Sequence, residues 1–308
     1  MDIPYFGSGP YCYSNSLAMM LGDDVAPDVG IIETVTGSPF GMQLTGGVLP
    51  FFDPYGWNPE IGIEDALAAL GWRADTMYGQ SASSALDCLA SCLARGPVMV
   101  GPVEMGYLRH QPGKTGPIGA DHYIVVLGID DGHVTMHDPQ GYPYARLPLA
   151  DFTLAWQADT IDYARPFTMR TNFTQVARVD PATAVRAVIP RALDWLRPDA
   201  CHNVAPATVG NEDAAMALAA RIEAGCDDGL RGHLIHFAIR VGARRLADAA
   251  RCLQRVGHPA AASILTKQAQ LIGSIQHPLV TGHDRAAAMT LRALAPTYQE
   301  LRAALGGD

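Results

Sequence analysis

Ala120-Asp121-His122-Tyr123-Ile124-Val125-Val126-Leu127-Gly128-Ile129-Asp130-Asp131-Gly132-His133-Val134-Thr135-Met136-His137-Asp138-Pro139 reads as two β-strands joined at Asp130-Asp131-Gly132. If the connection is the three-residue loop, a type I turn followed by a left-handed Gly132, then Ile129 pairs with His133 and Ile124 with Asp138. Side chains two apart along a strand share a face, so His122 lies on the face of Ile124, and Asp138 becomes its diagonal cross-strand neighbour at roughly 7–8 Å. A two-residue turn on Asp131-Gly132 would send Asp138 to the opposite face. The meeting of histidine and aspartate therefore calls for the longer loop.

The second informative stretch is Gly9-Pro10-Tyr11-Cys12-Tyr13-Ser14-Asn15-Ser16-Leu17-Ala18-Met19-Met20. Gly9 and Pro10 bend the chain, and Tyr13, Leu17, Met20 and Leu21 then fall on one helical face. Cys12 is thereby set in the first turn of a buried helix, where free N–H groups and the helix dipole favour a thiolate. A cysteine alone ordinarily just packs, and a histidine at a strand start ordinarily bonds to backbone. The three together, Cys12, His122 and Asp138, are the parts of a triad in which imidazole takes the thiol proton and carboxylate fixes the imidazole tautomer. His110, His133 and His137 compete for the role of base. His133 belongs to the turn and His137 to the other face, while His110 lies in a Gly/Pro-rich connection and stays open. Asp121 points away from the face of His122.

The 308 residues are 48% hydrophobic and 17% charged, with mean hydropathy +0.06, the composition of a soluble globular chain of one large or two ordinary domains. No basic-then-apolar leader opens the sequence and no apolar run is long enough to span a bilayer, so a cytoplasmic protein with no membrane partner is expected. The formal charge of −9 argues against nucleic acid and suits a cationic small molecule. The six cysteines are dispersed, Cys88 and Cys92 match neither a zinc knuckle nor a redox pair, and no histidine pattern suits a metal; neither metal nor organic cofactor is implied.

Along the chain, an irregular Gly/Pro/aromatic region from Pro39 to Pro59 is expected either to line a site or form a lid, or equally to cover apolar surface of the core. Helices are expected at Ile63–Leu70, Ser83–Arg95 and Leu149–Trp156, strands at Trp72–Tyr78, Pro97–Val103 and Pro166–Phe173, and a flexible connection at Tyr107–Gly119. Val179–Gly210 reads as a connector with a helix near Ala192–Leu196, and from Asn211 onward the chain is a helical bundle.

Cys12 on an N-terminal helix, Asp121-His122-Tyr123 leading an apolar strand and His137-Asp138-Pro139 on the next resemble the papain-like cysteine enzyme superfamily, especially bacteriocin-processing peptidase-like domains. In the order of its parts the chain resembles the butirosin-biosynthesis H acyltransferase family. The resemblance covers residues from about 5 to 175 and, loosely, the helical remainder. It implies an α+β papain-like catalytic domain at 1–175, a connector at 176–210 and a helical subdomain at 211–308. It also implies acyl transfer through an acyl-Cys12 intermediate, from an acyl carrier protein or acyl-CoA thioester to a small-molecule amine or hydroxyl acceptor, or within the acyl chain as a cyclising release, in bacterial specialised metabolism.

One departure concerns the oxyanion hole. Papain-like peptidases usually carry a glutamine several residues before the cysteine, and none occurs between Met1 and Cys12. The backbone N–H of Cys12 can serve as one donor, with Ser8 and Asn15 as candidates for another. An acidic carrier protein would need a basic patch, for which Arg240, Arg244 and Arg245 are candidates, though a solvated helix face is the commoner account of such arginines. Two alternatives differ in chemistry: a thioesterase, peptidase or amidase that gives the acyl group to water, and a non-catalytic module that binds an acyl chain or peptide. Iodoacetamide at neutral pH separates the last from the others. A catalytic Cys12 is expected to alkylate faster than Cys88 or Cys252, and equal rates at all three would identify the binding module.

Overall fold

The structure is a computed structural model that describes residues 10–197 and 204–306. It opens with α1 (Cys12–Leu21), α2 (Val29–Val35), β1 (Gln43–Thr45), β2 (Leu49–Phe51), α3 (Pro59–Leu70), β3 (Trp72–Met77) and α4 (Ala82–Leu93). Then come β4 (Val98–Glu104), β5 (Asp121–Asp130), β6 (His133–Asp138), β7 (Tyr142–Pro148), α5 (Leu149–Gln157) and β8 (Met169–Gln175). After α6 (Pro181–Trp195) and β9 (Val209–Gly210) the chain is helical: α7 (Asn211–Ala224), α8 (Asp228–His233), α9 (Ile239–Arg255), α10 (Pro259–Ser274), α11 (Gln276–Val280), α12 (Asp284–Leu294) and α13 (Thr297–Ala304). The fold is thus mixed α/β with a helical C-terminal region. Among the described residues, no helix is long and apolar enough to cross a membrane.

The chain forms two compact units, and a single cut near residue 175 does not separate them. One unit is Tyr11–Val29 with Gly71–Arg178; the other joins Gly30–Leu70 to the chain from Val179 onward. The reason is pairing across sequence: β1 bonds to β9 in the register Gln43↔Gly210 and Leu44↔Val209, and α3 packs on α6. Of the two readings of the Gly/Pro region, the structure agrees with the second: it is a packed hairpin, with Phe40, Met42, Leu44 and Phe52 buried and the Trp57 indole donating to the Thr36 carbonyl at 2.9 Å. Arg245 lies neither in a basic patch nor on a solvated helix face, the two places expected of it. It is buried, donating to Glu33 at 3.1 Å, to Asp53 at 3.1 Å and to the Phe52 carbonyl at 3.0 Å, so it holds α9 to the earlier segment.

The unit that carries Cys12 is built on an antiparallel sheet of order β3-β8-β4-β5-β6-β7. One apolar cluster joins Val98, Val100, Ile124, Val126, Val134 and Met136 of the sheet to Leu89 and Cys92 of α4 and to Phe152 and Trp156 of α5. Helix α1 packs against β5, its buried Tyr13, Leu17 and Leu21 forming the apolar face the sequence spacing required, with Met20 half-buried. Tyr13 meets Tyr123 edge-on, ring centroids 6.1 Å apart.

The register of β5 against β6 corrects the expected turn and keeps its consequence. Asp130 pairs with His133, so the connection is the two-residue turn on Asp131 and Gly132, with φ of 44° and 72°. Both values are left-handed, as a type I′ turn demands. Taken alone, that turn would put Asp138 on the wrong face. Between Val126↔Met136 and Gly128↔Thr135, however, β5 carries one extra residue, and beyond this bulge Val125 pairs with His137. One further step sets Ile124 against Asp138, because a one-residue bulge reverses the facing of everything beyond it.

A second bulge lies on the other side of β5, where Val100 pairs with Ile124 but Val103 with His122. Its Gly101 has φ 151°, and a Cβ there would stand 2.5 Å from Cδ1 of Tyr123. Gly101→Ala therefore forces overlap with a fully buried ring in a backbone conformation that L-residues avoid. It is expected to cost about 2–3 kcal/mol, read as a lowered urea midpoint at unchanged m-value.

Candidate active site

Cys12 is the first residue of α1 and is half-buried. The N-cap residue, Tyr11, makes no side-chain capping bond, and no acidic residue stands in the first turn, so α1 itself sets no carboxylate against the positive end of its dipole. His122 begins β5 and Asp138 ends β6. The two meet at 2.8 Å, Nε2 to Oδ1, with side chains 1% and 0% exposed.

Asp138 is the hub of the cluster. Oδ1 accepts from His122 and from the Gln140 amide at 2.8 Å; Oδ2 accepts from His110 Nε2 and from Gln111 Nε2, each at 2.7 Å. Burial opposes ionisation of this carboxyl, but the bonds from His110 and His122, the charge of His122 and the Gln140 amide outweigh it and hold the group well below the usual carboxylate range. An ionised carboxylate only accepts, so both imidazoles donate Nε2–H to it. With Nε2–H engaged on the carboxylate, the nitrogen left over on each ring is Nδ1. On His110 that nitrogen is buried without a hydrogen-bond partner among the described residues.

The structure brings His122 and Asp138 together and adds two residues that strand pairing does not reveal. His110, left open as a competing base, binds the far oxygen of Asp138, and Gln111 binds beside it. Neither lies on a strand, and the Gly/Pro composition of their segment gives no face to either side chain. Cys12 is not one of the donors on Asp138. His137 accepts from the Tyr144 amide at 3.1 Å, and His133 bonds to the Asp131 carbonyl within the turn. Asp121 accepts from the Tyr163 hydroxyl at 2.7 Å and takes no part in the cluster; burial lifts its carboxyl above the ordinary value despite that bond.

Of the two proposed oxyanion donors, Ser8 lies outside the described residues. Asn15 directs its amide back one turn to the Tyr11 carbonyl at 2.8 Å, which engages it within α1. Among the other cysteines, burial pushes the thiols of Cys88, Cys226 and Cys252 up, away from thiolate at neutral pH. Among the described residues, no group of three or more His, Cys, Asp or Glu side chains is arranged to hold a metal ion.

Residues 205–306, the helical region from just before β9 onward, match the family model of the YobF C-terminal domain. More particularly, the chain is 28% identical over 288 residues to the Bacillus subtilis (strain 168) uncharacterized protein YobF, a likeness covering 91% of this chain and 90% of that one.

The Asp138 carboxyl ionises more readily in the folded chain than in the unfolded one, so the folded state binds fewer protons and stability rises with pH across the range below an ordinary carboxylate pKa of about 4. That contribution is complete above the unfolded value and is lost as pH falls below it towards the folded one. Asp138→Asn is expected to be less stable than wild type at pH 7 and to lose part of that deficit by pH 3, in paired urea titrations.

Proposed function

We propose that the chain is a papain-like cysteine enzyme that transfers an acyl group through a Cys12 thioester, in the manner of the butirosin-biosynthesis H family that its motifs resemble. The observation that carries this reading is the buried His122–Asp138 bond, Nε2 to Oδ1 at 2.8 Å. It fixes the tautomer that leaves Nδ1 unprotonated and supplies the charge that supports an imidazolium. Cys12 opens the helix that packs on the same strand, next in sequence to the Tyr13 that meets Tyr123, as His122 is next to Tyr123.

In the first half of the reaction, His122 Nδ1 takes the Cys12 proton as Sγ attacks the carbonyl carbon of an acyl thioester. The tetrahedral oxyanion collapses, the carbon–sulfur bond to the donor breaks, and the donor thiolate leaves with the proton from His122. In the second half an amine or hydroxyl attacks the acyl-Cys12 carbonyl, its proton passes to His122, and Cys12 Sγ leaves and is reprotonated. The Cys12 N–H at the helix start supports the oxyanion in both halves. A thioester is already activated, so this chemistry makes smaller demands on the oxyanion hole than amide cleavage, in keeping with the missing glutamine. Acyl carrier protein or acyl-CoA as donor, and a small cationic molecule as acceptor, agree with the formal charge of −9 only in the acceptor.

Intact-mass spectrometry after incubation with a panel of acyl thioesters tests the reading. Wild type is expected to gain one acyl mass, Cys12→Ala none, and His122→Ala to form the adduct about 10²–10⁴-fold more slowly. An adduct on Cys12→Ala, or one formed at full rate without His122, would remove the mechanism.

A further inference from the structure

The segment between β4 and β5 was expected to be a flexible connection, and it is instead tied at several points. Glu104, the last residue of β4, is buried, and its Oε1 accepts from the Gly106 amide at 2.9 Å and the Ile118 amide at 3.0 Å. Its Oε2 accepts from the Gly119 amide at 2.9 Å and from the Thr160 hydroxyl. One carboxylate thereby clasps the outgoing and returning arms of the same loop and pins both to the turn after α5. Burial raises the cost of its charge, yet the Thr160 hydroxyl and the three amides bring the carboxyl below its ordinary value.

The arms touch at the clasp: a Cβ on Gly106 would stand 1.9 Å from the Gly116 carbonyl oxygen. Beyond a 3-10 turn at Met105–Tyr107, Leu108 is buried in the sheet's apolar cluster and Arg109 pairs with Asp151 of α5 at 2.7 Å. The next two residues are His110 and Gln111, both on Asp138 Oδ2. His110 also packs edge-on against Tyr142 of β7, ring centroids 5.4 Å apart.

We infer that His110 and Gln111 are positioning residues for Asp138, and that Glu104 is the anchor that delivers them. This rests on the catalytic reading for its consequence, though not for its geometry. A carboxylate with only His122 and Gln140 on one oxygen could turn about its Cβ–Cγ bond, and a buried second oxygen without donors would resist ionisation. With Oδ2 held by an imidazole and an amide, Oδ1 stays aimed at His122. None of the three residues is assigned contact with substrate; each acts through Asp138.

The chain has only two lysines, Lys114 within this loop and Lys267 within α10, so a lysine-specific endoproteinase reads loop opening directly against an internal helical control. Glu104→Gln keeps the size of the side chain but sets an amide N–H against the Gly119 and Thr160 donors. It is expected to speed cleavage after Lys114 about tenfold without changing cleavage after Lys267. In the same variant, the low-field proton signal of His122 Nε2–H on Asp138 should broaden, and alkylation of Cys12 should slow about tenfold, the equivalent of one charge-assisted hydrogen bond.

His110→Ala is expected to lose the signal and the rate without opening the loop fully, and His110→Gln, which restores an amide donor to Oδ2, to recover most of both. Thr160→Val, removing one bond of the clasp, should act like Glu104→Gln but more weakly. A loop that opens in Glu104→Gln while signal and alkylation rate stay as in wild type would overturn the inference, as would His110→Ala with both unchanged. If wild-type Cys12 alkylates no faster than in His122→Ala, the acyl-transfer reading fails, and a signal that still depends on His110 upholds the positioning role.

Discussion

A carboxylate buried to the point of no exposure is stable only if its charge is answered on every side, and Asp138 meets that condition through four donors drawn from three segments. The donors come from the start of β5, from Gln140 two residues past the end of β6, and from the loop between β4 and β5. Each segment is therefore constrained by the same two oxygen atoms. Remove the charge and the reason for the bulges flanking His122, for the clasped loop and for the buried amide of Gln111 goes with it.

The strand alternation around His122 and Asp138 was legible in the sequence, and the face they share was read through the wrong turn. Asp131-Gly132 forms the tighter turn, and the bulge around Leu127 supplies the missing residue of phase. These are two ways of writing the same parity, and nothing in a run such as Ile124-Val125-Val126-Leu127-Gly128 says where an extra residue sits, because every position in it is apolar or small. His110 and Gln111 were not legible, since a loop has no period to assign a face.

Two elements that carry proline have no full counterpart among the expected ones, for different reasons. β7 holds Pro143 and Pro148, and it is the outer strand of its sheet, where a missing N–H costs no ladder bond. In α6, Pro190 stands inside a helix that begins with Pro181 and an Asp180 cap accepting from the Ala182 and Thr183 amides at 3.1 Å, so the connector holds a helix of 15 residues that starts well before the expected Ala192. The division of the chain was illegible for a third reason. Composition changes at Asn211, whereas the second unit is held by Arg245 reaching Glu33 and Asp53, partners some two hundred residues earlier.

The likeness to the Bacillus subtilis YobF protein bears on how the two units belong together in one chain. The likeness covers 91% of this chain and so takes in both units, including the interleaved Gly30–Leu70 segment. A chain that passes three times between two units from Tyr11 onward cannot lose one by simple truncation: cutting after the sheet would leave Gly30–Leu70 without β9, α6 and Arg245, and would take the Arg245 guanidinium from the buried carboxylates of Glu33 and Asp53. The helical region thus completes the packing of Gly30–Leu70, independently of any part it takes in the cluster on Asp138.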